Sequence, residues 1–188
     1  NSSISMTLDD LYTITSIEEG QNGFSFWLNE ELQDGYEKEK VFNFLLHFST
    51  IEKLNKIKVE SINYLPTAAG LASSASGFAA LAVAANRFFN TNFSELKLAE
   101  ITRIGSGSAC RSLYGGFVAW EKEGEVFQIN SPIDNFVMIS VIITNVKKQV
   151  SSRDAMELTV KTSKLYPLWV NQANYDFLKM KKALIDGD

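Results

Sequence analysis

The stretch from Lys56 to Phe89 constrains the chain more than any other. KIKVESINYL, Lys56 to Leu65, alternates polar and apolar residues and ends at Pro66, the pattern of a strand running into a loop. Beyond the loop, Ser74 to Phe89 is rich in Ala with scattered large apolar residues, which predicts a deeply buried helix. The linking segment PTAAGLASSAS, Pro66 to Ser76, therefore opens onto a helix N-terminus.

Around this unit the chain reads as a mixture. Asn1 to Leu8, Leu11 to Ile17 and Phe24 to Leu28 predict a short antiparallel meander, with turns at Asp9-Asp10 and at Gly20 to Gly23. Tyr36 to Phe48 carries apolar residues after a charged start and predicts a helix. Leu96 to Ile104 predicts a short helix that Gly105 stops. Tyr114 to Lys122 and Phe136 to Thr144 read as strands, the second apolar enough to be central in a sheet. Arg153 to Lys164 reads as a helix that breaks before Pro167, and Leu168 to Leu184 as a longer amphipathic one. Strands and helices without strict alternation predict an α+β fold. The closing IDGD reads as the opening of something that continues, and the start at Asn1, already strand-like, suggests a fragment.

Composition narrows the function classes. A chain of 188 residues has room for one domain with a core and the start of a second. A net charge of −4 and a pI near 5.1 argue against a nucleic-acid binder with a general basic surface. An anionic small molecule stays open, because a few local Arg or Lys residues hold a phosphate in an acidic protein. A single cysteine, Cys110, forms no internal disulfide. Neither a membrane-spanning apolar run nor a secretion signal is visible, so no membrane partner is expected and the cytoplasm is the expected compartment.

Two segments carry chemistry. In Pro66 to Ser76, Gly70 and the small residues around it let backbone amides approach a ligand, and a helix N-terminus favours a phosphate. Ser73 and Ser74 suit phosphate oxygens or a magnesium ion, and equally suit plain capping of the helix. No Gly-Lys-Ser/Thr follows the glycine, so this is not a Walker A loop. In GSGSACRSLYGG, Gly105 to Gly116, Ser106 and Ser108 offer hydroxyls and Gly107 frees its neighbours' amides. Arg111 adds a fork of donors fitted to a carboxylate or phosphate. The same residues also fit a loop and one helical turn, with Arg111 paired to a surface acid.

Cys110 lacks a histidine in its own segment and reads as a small buried thiol rather than a nucleophile. His47, the only histidine, falls on the apolar side of its predicted helix as a core or boundary residue. Trp27, Trp120 and Trp169 lack basic interleaving, which favours core packing over base stacking.

Pro66 to Ala75 resembles, residue for residue, the Pro-x-x-x-Gly-Leu-x-Ser-Ser-Ala phosphate loop of the GHMP small-molecule kinase superfamily. GSGSACRSLYGGFVAW is similar to the signature of its diphosphomevalonate decarboxylase branch, of bacterial type. The NSS start and SSRDAMELTVKTS resemble further segments of that family, in family order, from Asn1 to about Trp169.

The resemblance implies a GHMP N-terminal domain, like domain 2 of ribosomal protein S5, over residues 1–150. Residues 151–188 would then open a C-terminal α/β domain. It implies ATP with magnesium at Ala69, Gly70, Leu71, Ala72, Ser73, Ser74 and Ala75, with Ser73 as a metal ligand. It implies mevalonate 5-diphosphate at Ser106, Gly107, Ser108, Ala109, Cys110, Arg111, Ser152 and Arg153, with Arg111 facing the substrate carboxylate. Homodimerisation is implied as well.

The family's Tyr-Trp-Gly-Lys segment and its catalytic aspartate match no residue of the chain, so a chain that binds better than it turns over is expected. Another GHMP kinase, acting on mevalonate or its phosphate, or a non-catalytic nucleotide-binding fragment, are the alternatives.

Overall fold

A computed structural model describes residues 2–21, 23–65, 73–122, 124–139, 150 and 152–188, although not the side chains of Ser152 and Arg153. Its first three strands, β1 (Ser3–Met6), β2 (Tyr12–Glu19) and β3 (Ser25–Leu28), do not form the expected meander, because none pairs with another. Period-two patterning marks a strand but not its partner. β2 instead pairs antiparallel along its whole length with β5 (Ile57–Tyr64). Side chains fit in that register: Tyr12 stacks on Tyr64 with centroids 4.7 Å apart, Thr13 Oγ1 donates to Asn63 Oδ1 (2.9 Å), and the Thr15 and Ser61 hydroxyls meet at 2.8 Å. β3 runs parallel to the other edge of β5, and β4 (Glu31–Gln33) completes a sheet in the order β2-β5-β3-β4.

The described residues form two compact units. The unit spanning Leu8 to Tyr114 holds this four-stranded sheet. Its parallel β3/β5 pair requires a crossover, made through β4, α1 (Tyr36–Leu45) and α2 (Ile51–Leu54). α3 (Ser73–Phe88), α4 (Glu95–Gly105) and a 3-10 helix at Ala109–Leu113 complete the unit.

α3 buries Ala75, Phe78, Ala79, Leu81, Ala82 and Ala85, the helical spacing its alanine-rich sequence predicts. Phe44 is the hub of an aromatic cluster, with Phe78 at 5.0 Å and Phe48 at 5.6 Å. Leu45, Leu54 and Val59 are fully buried beside it, each stabilising by about 1.5–3 kcal/mol. Past α3 the chain turns through Asn90 and Asn92, both at positive φ. Asn86 Oδ1 ties this turn down by accepting from Thr91 Oγ1 and the Phe93 amide.

The other unit pairs β1 antiparallel with β6 (Phe117–Trp120), and β6 with β7 (Val126–Ile129). Its core joins Ala119 and Ile129 to Phe177 and Leu184 of α6 (Tyr166–Asp186). Lys181 pairs with Glu121 at 2.8 Å. α5 (Ser152–Thr162) precedes α6, and Pro167 sits in the first turn of α6, where its missing amide costs nothing.

Several expectations change. The helix from Tyr36 ends at Leu45, and the turn that follows carries His47 to the surface, so it is not a core residue. Trp169 does not pack in the core: it is 56% exposed and stacks on Tyr166, on a helical turn whose Leu165 and Leu168 also face outward. Trp27 and Trp120 are half-buried. Residues 136–139 are not in a strand, and the rest of the strand expected to Thr144 lies outside the described residues.

Gly105 does not stop α4 as a left-handed cap. It is the last, buried residue of the helix, and Ser106 beyond it is extended. Alanine would favour the helix by about 1 kcal/mol. A Cβ here, however, would lie 2.1 Å from Phe78 Cδ1. The glycine is there for close approach.

Candidate anion-binding site

Ser94 caps the start of α4, its hydroxyl accepting from the Lys97 amide. At the other end the Thr102 hydroxyl, fully buried, donates back to the Leu98 carbonyl at 2.6 Å. Ser106 is then held from both sides, because its amide donates to Thr102 O (3.3 Å) and its carbonyl accepts from the Ala109 amide (2.9 Å). That bond opens the 3-10 helix carrying Cys110 and Arg111, which packs against both α3 and α4. Within the unit, two loops far apart in sequence converge: Ser74 Oγ, in the first turn of α3, lies 3.4 Å from Ser106 Oγ.

Ser74 is exposed and Ser73 partly so, at a helix N-terminus, where amides lack intrahelical partners and carry a partial positive charge. Ala75 is buried beneath them. Ser106 and Ser108 are half-buried and Gly107 is exposed. Ala109 and Cys110 are fully buried under the loop. The Cys110 sulfur lies 3.8 Å from the Gly107 carbonyl. Burial pushes this thiol up from its ordinary value, while the positive charges of Arg103 and Arg111 pull it down. Burial is the largest of these effects, in keeping with the small buried thiol that the sequence context predicts.

Burial also lowers the Arg111 guanidinium from its ordinary value, and Cys110 opposes that shift. Arg103, which the sequence reading did not single out, adds a second guanidinium near the loop. Its only signal is a place in the last turn of the helix leading into the motif. Tyr114 is a further neighbour, pushed up by burial and then by Glu95.

The arrangement can receive two anions, one at the start of α3 and one at the Ser106–Arg111 turn. Ala69, Gly70, Leu71 and Ala72 lie outside the described residues. Ser152 and Arg153 open α5 in the other unit. Among the described residues no group of three His, Cys, Asp or Glu could hold a metal ion. Ser73 offers one hard oxygen, which suits magnesium arriving on phosphates rather than in a protein cage. No helix among the described residues is long and apolar enough to cross a membrane.

Solved structures share this fold across the whole chain. Mevalonate pyrophosphate decarboxylase from Streptococcus pyogenes superposes with a TM-score of 0.87 at 31% identity, covering 100% of this chain and 60% of that one. The structure of MDDEF in complex with MVAPP, AMPPCP and magnesium gives 0.82 at 37% identity, covering 100% and 61%. The fold is therefore that of the GHMP small-molecule kinases. The diphosphomevalonate decarboxylase-like N-terminal domain matches residues 1–131, and the chain belongs to that family. The diphosphomevalonate decarboxylase of Saccharomyces cerevisiae is 36% identical over 215 residues, which cover 100% of this chain and 54% of that protein. The chain thus spans about half the length of the curated relatives it matches.

Proposed function

We propose that the protein catalyses the ATP-dependent decarboxylation of mevalonate 5-diphosphate to isopentenyl diphosphate, with ADP, phosphate and carbon dioxide as the other products. The observation that carries this reading, within a chain of this family, is the 3.4 Å approach of Ser74 and Ser106. It brings the start of α3 to the serine-glycine-serine turn, as a phosphoryl transfer between two bound anions requires. The solved relative holding MVAPP, AMPPCP and magnesium supports the same pair of ligands.

In this reading Ala69, Gly70, Leu71, Ala72, Ser73, Ser74 and Ala75 bind the ATP phosphates, with the Ser73 hydroxyl toward magnesium. Ser106, Gly107, Ser108, Ala109, Cys110 and Arg111 bind the substrate diphosphate, with Ser152 and Arg153 as further contacts. Arg111 faces the substrate carboxylate. The 3-hydroxyl takes the γ-phosphoryl group, and the 3-phosphate then leaves as the carboxylate fragments into carbon dioxide and an alkene. Fixed donors oriented toward both anions would supply the rate by position and electrostatics.

Residues 1–150 serve as the ATP- and substrate-binding domain and residues 151–188 begin the C-terminal one. The protein works as a cytoplasmic homodimer. Carbon dioxide release coupled to ADP formation, measured on the protein with its complete C-terminal domain and with mevalonate 5-diphosphate, mevalonate and its monophosphate, tests the reading. Release with the diphosphate alone is expected. ADP without carbon dioxide from either of the others would make the protein a kinase instead.

A further inference from the structure

We propose that Gly105 and Phe78 are a positioning pair that sets the spacing of the two anion loops, a role that rests on the reading of those loops given above. A Cβ built on Gly105 would lie 2.1 Å from Cδ1 of Phe78 and 2.6 Å from its Cγ and Cε1, distances that real Cβ atoms do not reach. The ring has nowhere to retreat. It is 7% exposed, meets the Phe44 ring edge-on at 5.0 Å, and has the Lys40 ammonium 4.9 Å from its centroid.

Phe78 stands four residues after Ser74 on α3, so both lie on one face of the helix. Gly105 immediately precedes Ser106. The contact of ring with backbone and the approach of the two hydroxyls are therefore neighbouring links between the same two elements. Gly105 lets the end of α4 come down onto the ring, and that closeness delivers Ser106 to Ser74. A methyl group at 105 forces α4 and α3 apart and carries Ser106, Gly107 and Ser108 with it. The pair touches neither anion: it acts through the serines.

The test is calorimetric titration of the chain with Mg·ATP and with mevalonate 5-diphosphate, alongside circular dichroism and thermal unfolding. Gly105→Ala is expected to lose at least about tenfold in affinity for both ligands. The double variant Gly105→Ala/Phe78→Ala, which clears the obstructing ring, is expected to return to within about threefold of the original affinities, although its unfolding midpoint stays low. Rescue of binding without rescue of stability is what a purely structural role would not produce.

A folded Gly105→Ala chain that binds both ligands normally overturns the proposal, as does a double variant that binds no better than Gly105→Ala. If Gly105→Ala does not fold, the double variant decides alone: near-original affinity supports the proposal, and failure to bind or fold overturns it. An unsubstituted chain that binds neither ligand sinks the reading of the loops themselves, which is a separate result.

Discussion

The hydroxyls of Ser74 and Ser106 stand 3.4 Å apart although 32 residues separate them in the chain. Ser74 lies in the first turn of α3 and Ser106 directly follows the last residue of α4, so the two elements meet at these hydroxyls. A hydrogen bond to a charged group contributes about 1.5–3 kcal/mol.

Ser74→Ala is therefore expected to weaken Mg·ATP about tenfold or more, and Ser106→Ala to weaken mevalonate 5-diphosphate to the same degree. The two losses are not additive, since the residues touch. Titration of each variant with each ligand gives the answer. A Ser106→Ala variant impaired only toward Mg·ATP would exchange the two assignments.

Arg111→Lys keeps the charge and removes the planar fork. Decarboxylation should fall at least about tenfold while the unfolding midpoint moves little. Steady-state kinetics of the protein with its complete C-terminal domain, with the diphosphate substrate, measures this. Equal turnover would mean that the fork is not used.

Cys110 is fully buried, and burial raises its thiol above the ordinary value of 9.0. An acid whose folded-state pKa is raised stabilises the fold fully below the unfolded value, and that contribution is lost as pH rises through the folded one. The stability advantage of the original chain over Cys110→Ala should shrink as pH rises past the ordinary value of 9.0, read as a difference in urea midpoints. At neutral pH a thiol reagent should label Cys110 only as fast as the chain opens. Immediate labelling would contradict its burial.

Asn29 and Glu30 both adopt positive φ in the turn joining β3 to β4. Asn29 is suited to this, and its side chain also accepts from the Asn63 amide at 2.8 Å. Glu30, at φ 68°, has no such excuse. Glu30→Gly should raise stability by about 0.5–1 kcal/mol, visible in the denaturant midpoint, while Glu30→Val should lower it.

The longest patterns were legible from sequence. β2, β5 and α3 each run for eight residues or more, and their periods repeat often enough to identify them. β4, β7 and α2 have three or four residues each, too few to show a period. Pairing was not legible either, because β1 finds its partner in β6 and β3 finds one in β5 through contacts remote in sequence. Both segments proposed to bind anions stand out in the sequence by their serines, glycines and Arg111. Their meeting does not, since it depends on the ring of Phe78 filling the space a Cβ would take at Gly105. The same holds for Arg103, whose nearness to Cys110 arises only once α4 leads into the 3-10 helix.

The pairing of Ser3–Met6 with Phe117–Trp120 also orders events during synthesis. β1 leaves the ribosome more than a hundred residues ahead of β6, its strand partner among the described residues. The unit from Leu8 to Tyr114 contains its own sheet and core, so it is free to close in the interval. The sheet of β1, β6 and β7 is then the late, slow step, because its loop must be closed before its contacts repay the cost. A chain ended at Tyr114 should therefore keep a protease-resistant unit from Leu8 to Tyr114 while Ser3–Met6 is open to cleavage.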